Sequence, residues 1–217
     1  MKKNLEDYSS FFSNLRPEEV HRLAQVAQEK NYSKGELVFS RGEPGNAVWI
    51  LKEGRVHLQN VSYDGKVITS CIMIAGDIFC CLPALDGKPY TSDAVVIEPS
   101  IVLRIPSDFF RQLARENPRF SNKVMCTFCD RLRDMEGKGC QAFDPAELRM
   151  ARLLLTLGEK FKGEIPLTRQ EMAEIAGLTV ETAIRILSQM KKEGIIRSGR
   201  KMTKVIAPQK LKERVME

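Results

Sequence analysis

The segment 167–190 combines helix caps, a glycine and an exposed charged pair at regular spacing. Thr168 followed three residues later by Glu171 is the capping-box pattern that begins a helix. Gly177 supplies the backbone freedom that a tight turn demands. Thr179 then precedes a second stretch with apolar residues at helical intervals. The segment therefore predicts a helix-turn-helix.

The second helix of this motif has two different sides. Its apolar residues form a stripe that we expect to be buried, namely Ala183, Ile186, Leu187 and Met190. The opposite side presents four candidates for reading base edges: Val180, Glu181, Ile184 and Arg185. Arg185 can pair bidentately with guanine, and Glu181 can accept from a cytosine amino group or orient the arginine. An ordinary surface Glu-Arg pair is the alternative, and the complete motif favours base reading.

A cationic hairpin is predicted after the motif. Two short runs rich in β-forming residues, 194–197 and 203–206, enclose a tip that carries Arg200 and Lys201. Such a hairpin resembles the wing of a winged helix, where it contacts phosphate. From Asp144 onward there are 15 Lys and Arg against 10 Asp and Glu, or +5 of the net charge of +6. The last third of the chain therefore favours a polyanionic partner such as double-stranded DNA.

Ahead of the motif, the pattern of apolar residues changes from helical to strand-like and back to helical. Residues 5–30 have apolar positions at helical spacing and predict two short helices, with Pro17 in the first turn of the second. Residues 32–105 hold short runs of Val and Ile separated by glycines about every ten residues, as in an antiparallel β-sandwich or jelly roll. Ser107 is expected to cap a short helix that Pro118 ends.

A longer helix is predicted over 119–136, ended by the glycines at 137 and 139, where we expect a hinge. Its apolar residues recur at nearly coiled-coil spacing, at Phe120, Val124, Phe128, Leu132 and Met135. They either pack against their own domain or form a dimer helix. The predicted fold is α+β, with a sensory β-roll domain at 1–118, a dimerisation helix and hinge at 119–138, and a winged helix-turn-helix domain at 139–217.

Several classes of protein are excluded by the sequence. No apolar run reaches the roughly 18 residues of a membrane helix, and no signal peptide opens the chain, so we expect a cytoplasmic protein without a membrane partner. Its six cysteines are then expected as thiols. No P-loop and no cluster of nucleophile, base and oxyanion donors points to an enzyme.

The succession of β-roll, long helix and winged helix-turn-helix resembles the cyclic-AMP receptor protein and fumarate-nitrate regulator (Crp/Fnr) superfamily. The resemblance is most specific in residues 168–171, 180–182 and 185–187. It implies a transcription regulator that forms a homodimer along 119–136, reads a palindrome with half-sites about one helical turn apart, and acts with RNA polymerase. By carry-over, a set of polar residues holds phosphates: Thr168, Arg169, Gln170, Thr179, Thr182 and Ser188.

The resemblance also bears on the DNA sequence that is read. Cyclic-AMP receptors have an arginine where this chain has Val180, which can contact a thymine methyl but cannot donate to guanine. This difference favours the TTG-type half-sites of the fumarate-nitrate branch. That branch has serine where Ile184 stands, so the outer bases stay open.

The effector pocket expected from the resemblance lacks the features that bind cyclic AMP. Members that bind it hold the cyclic phosphate with a Gly-Glu pair followed by an Arg-Ser pair. Here Asp77 replaces the glutamate, Tyr90 falls about where the arginine belongs, and Lys88 is a point charge two residues away. We therefore expect no dependence on cyclic AMP. The candidate pocket residues are Gly76, Asp77, Phe79, Cys80, Cys81, Lys88, Tyr90 and Thr91.

Other effectors remain open. An iron-sulfur cluster of the fumarate-nitrate type needs cysteines ahead of the roll, and the first one here is Cys71, so this cofactor is not expected. Cys126 and Cys129 either bind a metal or are buried thiols. The stretch 76–80 resembles the haem loop of carbon-monoxide sensors, with Cys80 as the axial ligand, although the partner histidine is Leu82 here.

Haem, a reactive-thiol sensor at Cys80 and Cys81, and an unidentified small anion in the roll are thus the alternatives for a small-molecule, gas or redox effector. A rival function is a cyclic-nucleotide-binding regulatory module of a kinase or channel. Such a module would lack the helix-turn-helix and keep the phosphate-binding residues intact.

Overall fold

The structure is a computed structural model that describes residues 10–141, 144–199 and 202–216. The chain forms two compact units. The first comprises Met1–Lys66 and Ser70–Leu132, and the second comprises Val67–Thr69 and Arg133–Glu217. No helix in these described ranges is both long and apolar enough to cross a membrane.

A sheet of six strands dominates the first unit, and its two longest strands run through the middle. The strands are β1 (Gln28–Tyr32), β2 (Leu37–Phe39), β3 (Ala47–Val61), β4 (Val67–Ile74), β5 (Ile78–Phe79) and β6 (Asp93–Pro106). β6 pairs antiparallel with β1, β2 and β3, and β3 also pairs with β4 and β5. The register of β3 against β6 shifts between Leu51 and Val56, around Gly54. The β-roll expected from the sequence is confirmed.

The two faces of this sheet have separate cores, because successive side chains of a strand point to opposite faces. Along β3, Trp49 and Leu51 lie in one core, whereas Val48 and Ile50 lie in the other. The first core contains only residues from strands and loops, with an aromatic centre of Phe39, Trp49, Phe79 and Tyr90. The second core joins the sheet to the helices through Phe11, Phe12, Phe110 and Phe120.

Four helices accompany the roll: α1 (Pro17–Val26), α2 (Cys81–Asp86), α3 (Ser107–Glu116) and α4 (Pro118–Gln141). The expected position of Pro17 in the first turn of α1 is confirmed. Ser107 is the first helical residue of α3, and Pro106 takes the cap position. α4 continues through 137–139 to Gln141, so the predicted end of this helix is wrong. Glycine costs a helix only about 1 kcal/mol relative to alanine, which does not stop it.

One strand is absent from the sequence prediction. The sequence places residues 28–30 in a helical region, and the structure places them in β1. β1 pairs with β6 alone, with Gln28 opposite Arg104, and most of its residues are exposed. An edge strand of polar residues has neither the alternation nor the β-branched composition that makes strands visible in sequence.

The second unit contains four helices and a small sheet. The helices are α5 (Ala146–Lys160), α6 (Arg169–Ala176), α7 (Val180–Lys192) and α8 (Pro208–Met216). The strands β7 (Glu164–Ile165), β8 (Ile196–Ser198) and β9 (Thr203–Val205) form a sheet in the order β7-β9-β8. Met150, Leu154, Met172 and Leu187 bring α5, α6 and α7 together in a buried core. This arrangement is a winged helix-turn-helix.

The long helix α4 corrects the predicted dimer seam. Phe120 and Val124 are buried in the core of their own unit, and Phe128 packs against that core. They therefore cannot face a partner, and the prediction for Phe120 and Val124 is wrong. Met125, Leu132 and Met135 are 57%, 58% and 67% exposed. These three are the large apolar side chains that α4 leaves uncovered in its described residues.

Candidate nucleic-acid interface

The first helix of the motif, α6, begins with the capping box that the sequence predicts. The Glu171 amide donates to Thr168 Oγ1 at 3.2 Å, and the Thr168 amide donates to Glu171 Oε2 at 2.6 Å. Two backbone donors that a helix cannot satisfy internally are thereby satisfied. The helix ends at Gly177, whose φ of 62° lies in the left-handed region that glycine tolerates best.

The second helix, α7, starts at Val180, three residues after this glycine. Thr179 is its N-cap, and its Oγ1 accepts from the Thr182 amide at 3.2 Å. The predicted stripe of Ala183, Ile186, Leu187 and Met190 is buried. Burial of one side fixes the rotation of α7 about its own axis, so the opposite side must face away from the core.

That opposite side carries the four predicted base readers. Glu181 and Arg185 are exposed, and they lie four residues apart on one face of α7. Val180 and Ile184 flank them with 37% and 38% of their surface exposed. The four side chains occupy the first turns of the helix, which is the part that enters the major groove in helix-turn-helix proteins. The structure therefore brings the predicted base-reading residues together.

The predicted phosphate contacts lie around the N-termini of the two helices. Arg169, Gln170 and Thr179 are exposed, whereas Thr168 and Thr182 are half-buried. Both N-termini carry positive partial charge that favours phosphate. Ser188 is half-buried further along α7, away from these ends. Arg200 and Lys201 lie outside the described residues.

Two cations on the small sheet were not singled out from the sequence. Arg197 is exposed on β8, and Lys204 is exposed on β9, where its Nζ lies 2.8 Å from Glu164 Oε1. These residues pair directly across the two strands. The signal that could have identified them is the alternation of buried Ile196 with Arg197 in the predicted hairpin.

The interior of the β-roll is filled at the position where cyclic nucleotides would require an arginine. Tyr90 is only 3% exposed, and its ring stacks on Phe39 with 3.9 Å between centroids. Its hydroxyl accepts from Trp49 Nε1 at 3.1 Å and donates to the Ala47 carbonyl at 3.1 Å. Tyr90 thus satisfies its own hydrogen bonds inside the roll and supplies no positive charge. The residues present do not fit a cyclic phosphate.

The other residues of the predicted effector pocket do not converge. Phe79 and Cys81 are buried in different cores, whereas Lys88 and Thr91 are exposed. Lys88 Nζ lies 3.9 Å from Asp86 Oδ2, so its ammonium group is close to a carboxylate only two residues away in the chain. The expected pocket is therefore not formed as the sequence predicts.

A different cavity of about 240 Å³ lies where α4 crosses the start of β5. It includes Gly76 and Asp77 from the predicted set, and α4 adds Lys123, Thr127 and Arg131. Arg131 is anchored by a bond from Nη2 to the Ile78 carbonyl at 2.9 Å. Sequence reasoning missed these α4 residues, because it treated the helix as a dimer seam.

The cysteines show no activated thiol in the roll. Burial raises the pKa of Cys80, with neighbouring Cys81 adding to the shift, and burial raises the pKa of Cys81 to about 12 despite the opposing charge of Arg131. Both are therefore protonated at neutral pH. Cys126 and Cys129 are exposed on α4, so the expectation of buried thiols there is wrong. Within the described residues, no group of three or more His, Cys, Asp or Glu could hold a metal ion.

Fold and site together define a DNA-binding protein of the winged helix-turn-helix class, joined to a β-roll of the cyclic-nucleotide-binding type. Family models agree with this division. A cyclic nucleotide-binding domain model matches residues 29–117, and a Crp-like helix-turn-helix domain model matches residues 148–214.

Individual relatives resemble the chain over most of its length. It is 28% identical to a cyclic AMP receptor protein of Thermus thermophilus, over 88% of this chain and 89% of that protein. It is 27% identical to the fumarate and nitrate reduction regulatory protein of Vibrio cholerae, over 84% and 76% respectively. The solved structure of FixK2 from Bradyrhizobium japonicum matches with a TM-score of 0.78 and 25% identity, over 87% of this chain and 96% of that one.

In both of its domains the chain is similar to DNA-binding transcription regulators of the Crp/Fnr type. Its relatives are regulators and not enzymes.

The cap of α7 provides a test that separates stability from phosphate contact. We predict that Thr179→Asp keeps the stability of the DNA-binding unit, because aspartate caps helices as well as threonine and favours the N-terminal dipole. DNA affinity falls about tenfold at low salt, because a carboxylate then faces a phosphate. Thermal unfolding and fluorescence anisotropy with a labelled duplex measure the two effects.

Thr179→Ser is the matched control, which keeps both the cap and the neutral charge and should bind DNA as the wild type does. If Thr179→Asp bound DNA as tightly as Thr179→Ser at low salt, Thr179 would not lie at a phosphate.

Proposed function

We propose that the chain binds, as a homodimer, a palindromic DNA site with TTG-type half-sites, and regulates transcription in response to an effector other than cyclic AMP. The observation that carries this proposal is that Glu181 and Arg185 are exposed on α7, whereas the opposite side of this helix is buried in the core. The pair can satisfy the guanine and cytosine of one base pair, with Arg185 on guanine O6 and N7. Val180 supports a thymine beside them through its methyl groups.

The apolar residues left uncovered on α4 support the homodimer. Met125, Leu132 and Met135 are separated by seven and three residues, which places them on one side of the helix at heptad spacing. Met125 and Leu132 lie beside the stripe that Phe120 and Val124 bury in their own unit, and Met135 lies further along α4. A second copy of α4 would cover all three residues, and the two α7 helices would then meet successive major grooves. RNA polymerase is the further partner that we propose for a cytoplasmic regulator of this family.

The effector is a small molecule other than cyclic AMP. Tyr90 fills the roll with its own hydrogen-bonded ring, which argues against a nucleotide there. The high pKa values of Cys80 and Cys81 argue against a reactive-thiol sensor at neutral pH, since the thiolate is the reactive form. Haem at Cys80 lacks the histidine that the resemblance requires, because Leu82 stands there.

Of the alternatives, a small anion fits the described residues best. Lys123 and Arg131 give the cavity beside α4 two cationic groups, against one carboxylate from Asp77, and Thr127 adds a hydroxyl. Cationic donors form the strongest hydrogen bonds to anions. Because α4 also carries the proposed dimer face, an anion held there would act on the helix that joins the two copies.

The base-reading claim predicts a loss of selectivity when Arg185 is removed. We expect Arg185→Ala to lower affinity for a palindrome of TTG-type half-sites about tenfold or more, because a bidentate contact to a base contributes about 1–3 kcal/mol, with little change on a scrambled duplex. Binding titrations on both duplexes over a range of salt concentrations measure this ratio.

Arg197→Ala is the control for a cation on the wing. It should weaken binding to both duplexes equally and make the salt dependence shallower, because a phosphate contact carries no sequence information. Equal selectivity of Arg185→Ala and wild type for the palindrome would show that Arg185 does not read a base.

The filled roll predicts that cyclic AMP does not bind in it. Trp49 is the chain's single tryptophan, and its indole bonds directly to Tyr90, so displacement of Tyr90 would change its fluorescence. We expect cyclic AMP at concentrations up to about 1 mM to leave the emission of the wild type unchanged. Tyr90→Phe, which loses the bond to Trp49 but keeps the ring, defines the size of the signal. A saturable change in the wild type that approaches this signal would contradict the prediction.

A further inference from the structure

The turn between α6 and α7 leaves carbonyl groups that the helices do not satisfy. The Gly177 amide bonds back to the Ala173 and Glu174 carbonyls, and the Leu178 amide bonds to the Ala173 carbonyl, which closes the end of α6. The carbonyls of Ala176 and Gly177 have no following turn of helix from which to accept hydrogen bonds. Such groups require donors from elsewhere in the protein or from water.

The donor for both carbonyls comes from a different helix. Arg149 lies on α5, and its Nη1 donates to the Ala176 oxygen at 3.0 Å and to the Gly177 oxygen at 3.0 Å. One guanidinium nitrogen therefore bridges the two residues across which the chain turns. α5, α6 and this turn belong to the same compact unit.

The charge of Arg149 also suits this position. A helix C-terminus carries negative partial charge, which a cation stabilises. α6 has no basic residue in its own last turn. Arg149 supplies that cation from outside α6, and hydrogen bonds from a charged donor are stronger than neutral ones.

Gly177 leaves room for this contact. A Cβ atom at position 177 would lie 3.2 Å from Arg149 Nη1, which is tighter than ordinary van der Waals contact. The same residue has the positive φ that ends α6. The positive φ thus favours glycine for the direction of the turn, and a side chain there would make the guanidinium shift slightly.

We infer that Arg149 is a positioning residue for DNA reading: by clamping the Ala176 and Gly177 carbonyls, it fixes the turn from which α7 starts. α7 begins directly after Thr179, so a displaced turn displaces Glu181 and Arg185 with it. Arg149 acts through the backbone and does not read a base itself. This inference rests on the proposed base-reading role of α7.

The test replaces Arg149 and compares it with a second arginine on the same helix. Arg149→Met keeps a long apolar side chain and removes the donors. Within the described residues, the buried Nε of Arg149 has no hydrogen-bond partner, so the bonds removed are those to the turn. Arg152→Met is the matched control, because Arg152 lies three residues further along α5 and bonds to Asp144 at 3.2 Å.

We expect Arg149→Met to lower the affinity ratio between the palindrome and a scrambled duplex roughly tenfold, with an unchanged salt dependence. Arg149→Lys, which keeps a cationic donor, should restore part of the ratio, and Arg152→Met should keep it. A reduced salt slope with equal loss on both duplexes would mean that Arg149 contacts phosphate, and would overturn the inference. The inference would also be overturned if Arg149→Met lost thermal stability and Arg149→Lys did not restore both that stability and DNA binding.

A measurement without DNA separates this inference from the proposed function. Hydrogen exchange of the segment 176–182 should become about tenfold faster in Arg149→Met and stay unchanged in Arg152→Met, because the clamp restrains this turn. If the wild type failed to distinguish the two duplexes, the proposed function would be wrong, and faster exchange in Arg149→Met would still support the clamp. Unchanged exchange would overturn it.

Discussion

Burial of one side of α7 is the constraint on which the interface depends. Ile186, Leu187 and Met190 are buried, and each such side chain contributes about 1.5–3 kcal/mol when removed from water. Rotation of the helix by even a quarter turn would expose part of this stripe, so the energy of the core holds the reading face outward. The capping groups and the clamp from α5 then determine where the helix starts. In the proposed interface, specificity for DNA thus rests on ordinary packing, and the proposed base-reading residues need contribute nothing to stability.

Inward-facing side chains also determine the β-roll, but here they fill the interior that a ligand would need. Its strands send Phe39, Trp49 and Tyr90 inward, where they pack on one another and satisfy their own hydrogen bonds. A roll filled in this way is a structural core, so the proposed effector is placed at a surface that still has space and charge. The cavity beside α4, with Arg131 at its edge, has both. α4 therefore connects the proposed effector site to the proposed dimer face.

Local signals in the sequence were sufficient for the helix-turn-helix, because caps such as Thr168 and a turn glycine act within a few residues of chain. Features that depend on distant contacts were not predictable in the same way. Coiled-coil spacing could not tell whether Phe120 faces a partner or its own core, since both surroundings are apolar. The polar edge strand β1 exists because β6 offers it hydrogen bonds. Lys88 was placed in a pocket by its position along the chain, whereas in the structure it lies beside Asp86.

The most direct test of base reading by Arg185 is a double-mutant cycle across the interface. The guanine of each TTG half-site is replaced by 7-deazaguanine, which lacks the N7 acceptor, and the affinities of wild type and Arg185→Ala are measured for both duplexes. The account predicts that the wild type loses about tenfold in affinity on the modified duplex, while Arg185→Ala loses nothing further, since its contact is already absent. Equal losses for both proteins would show that the two changes are independent, and would contradict the claim that Arg185 reads this guanine.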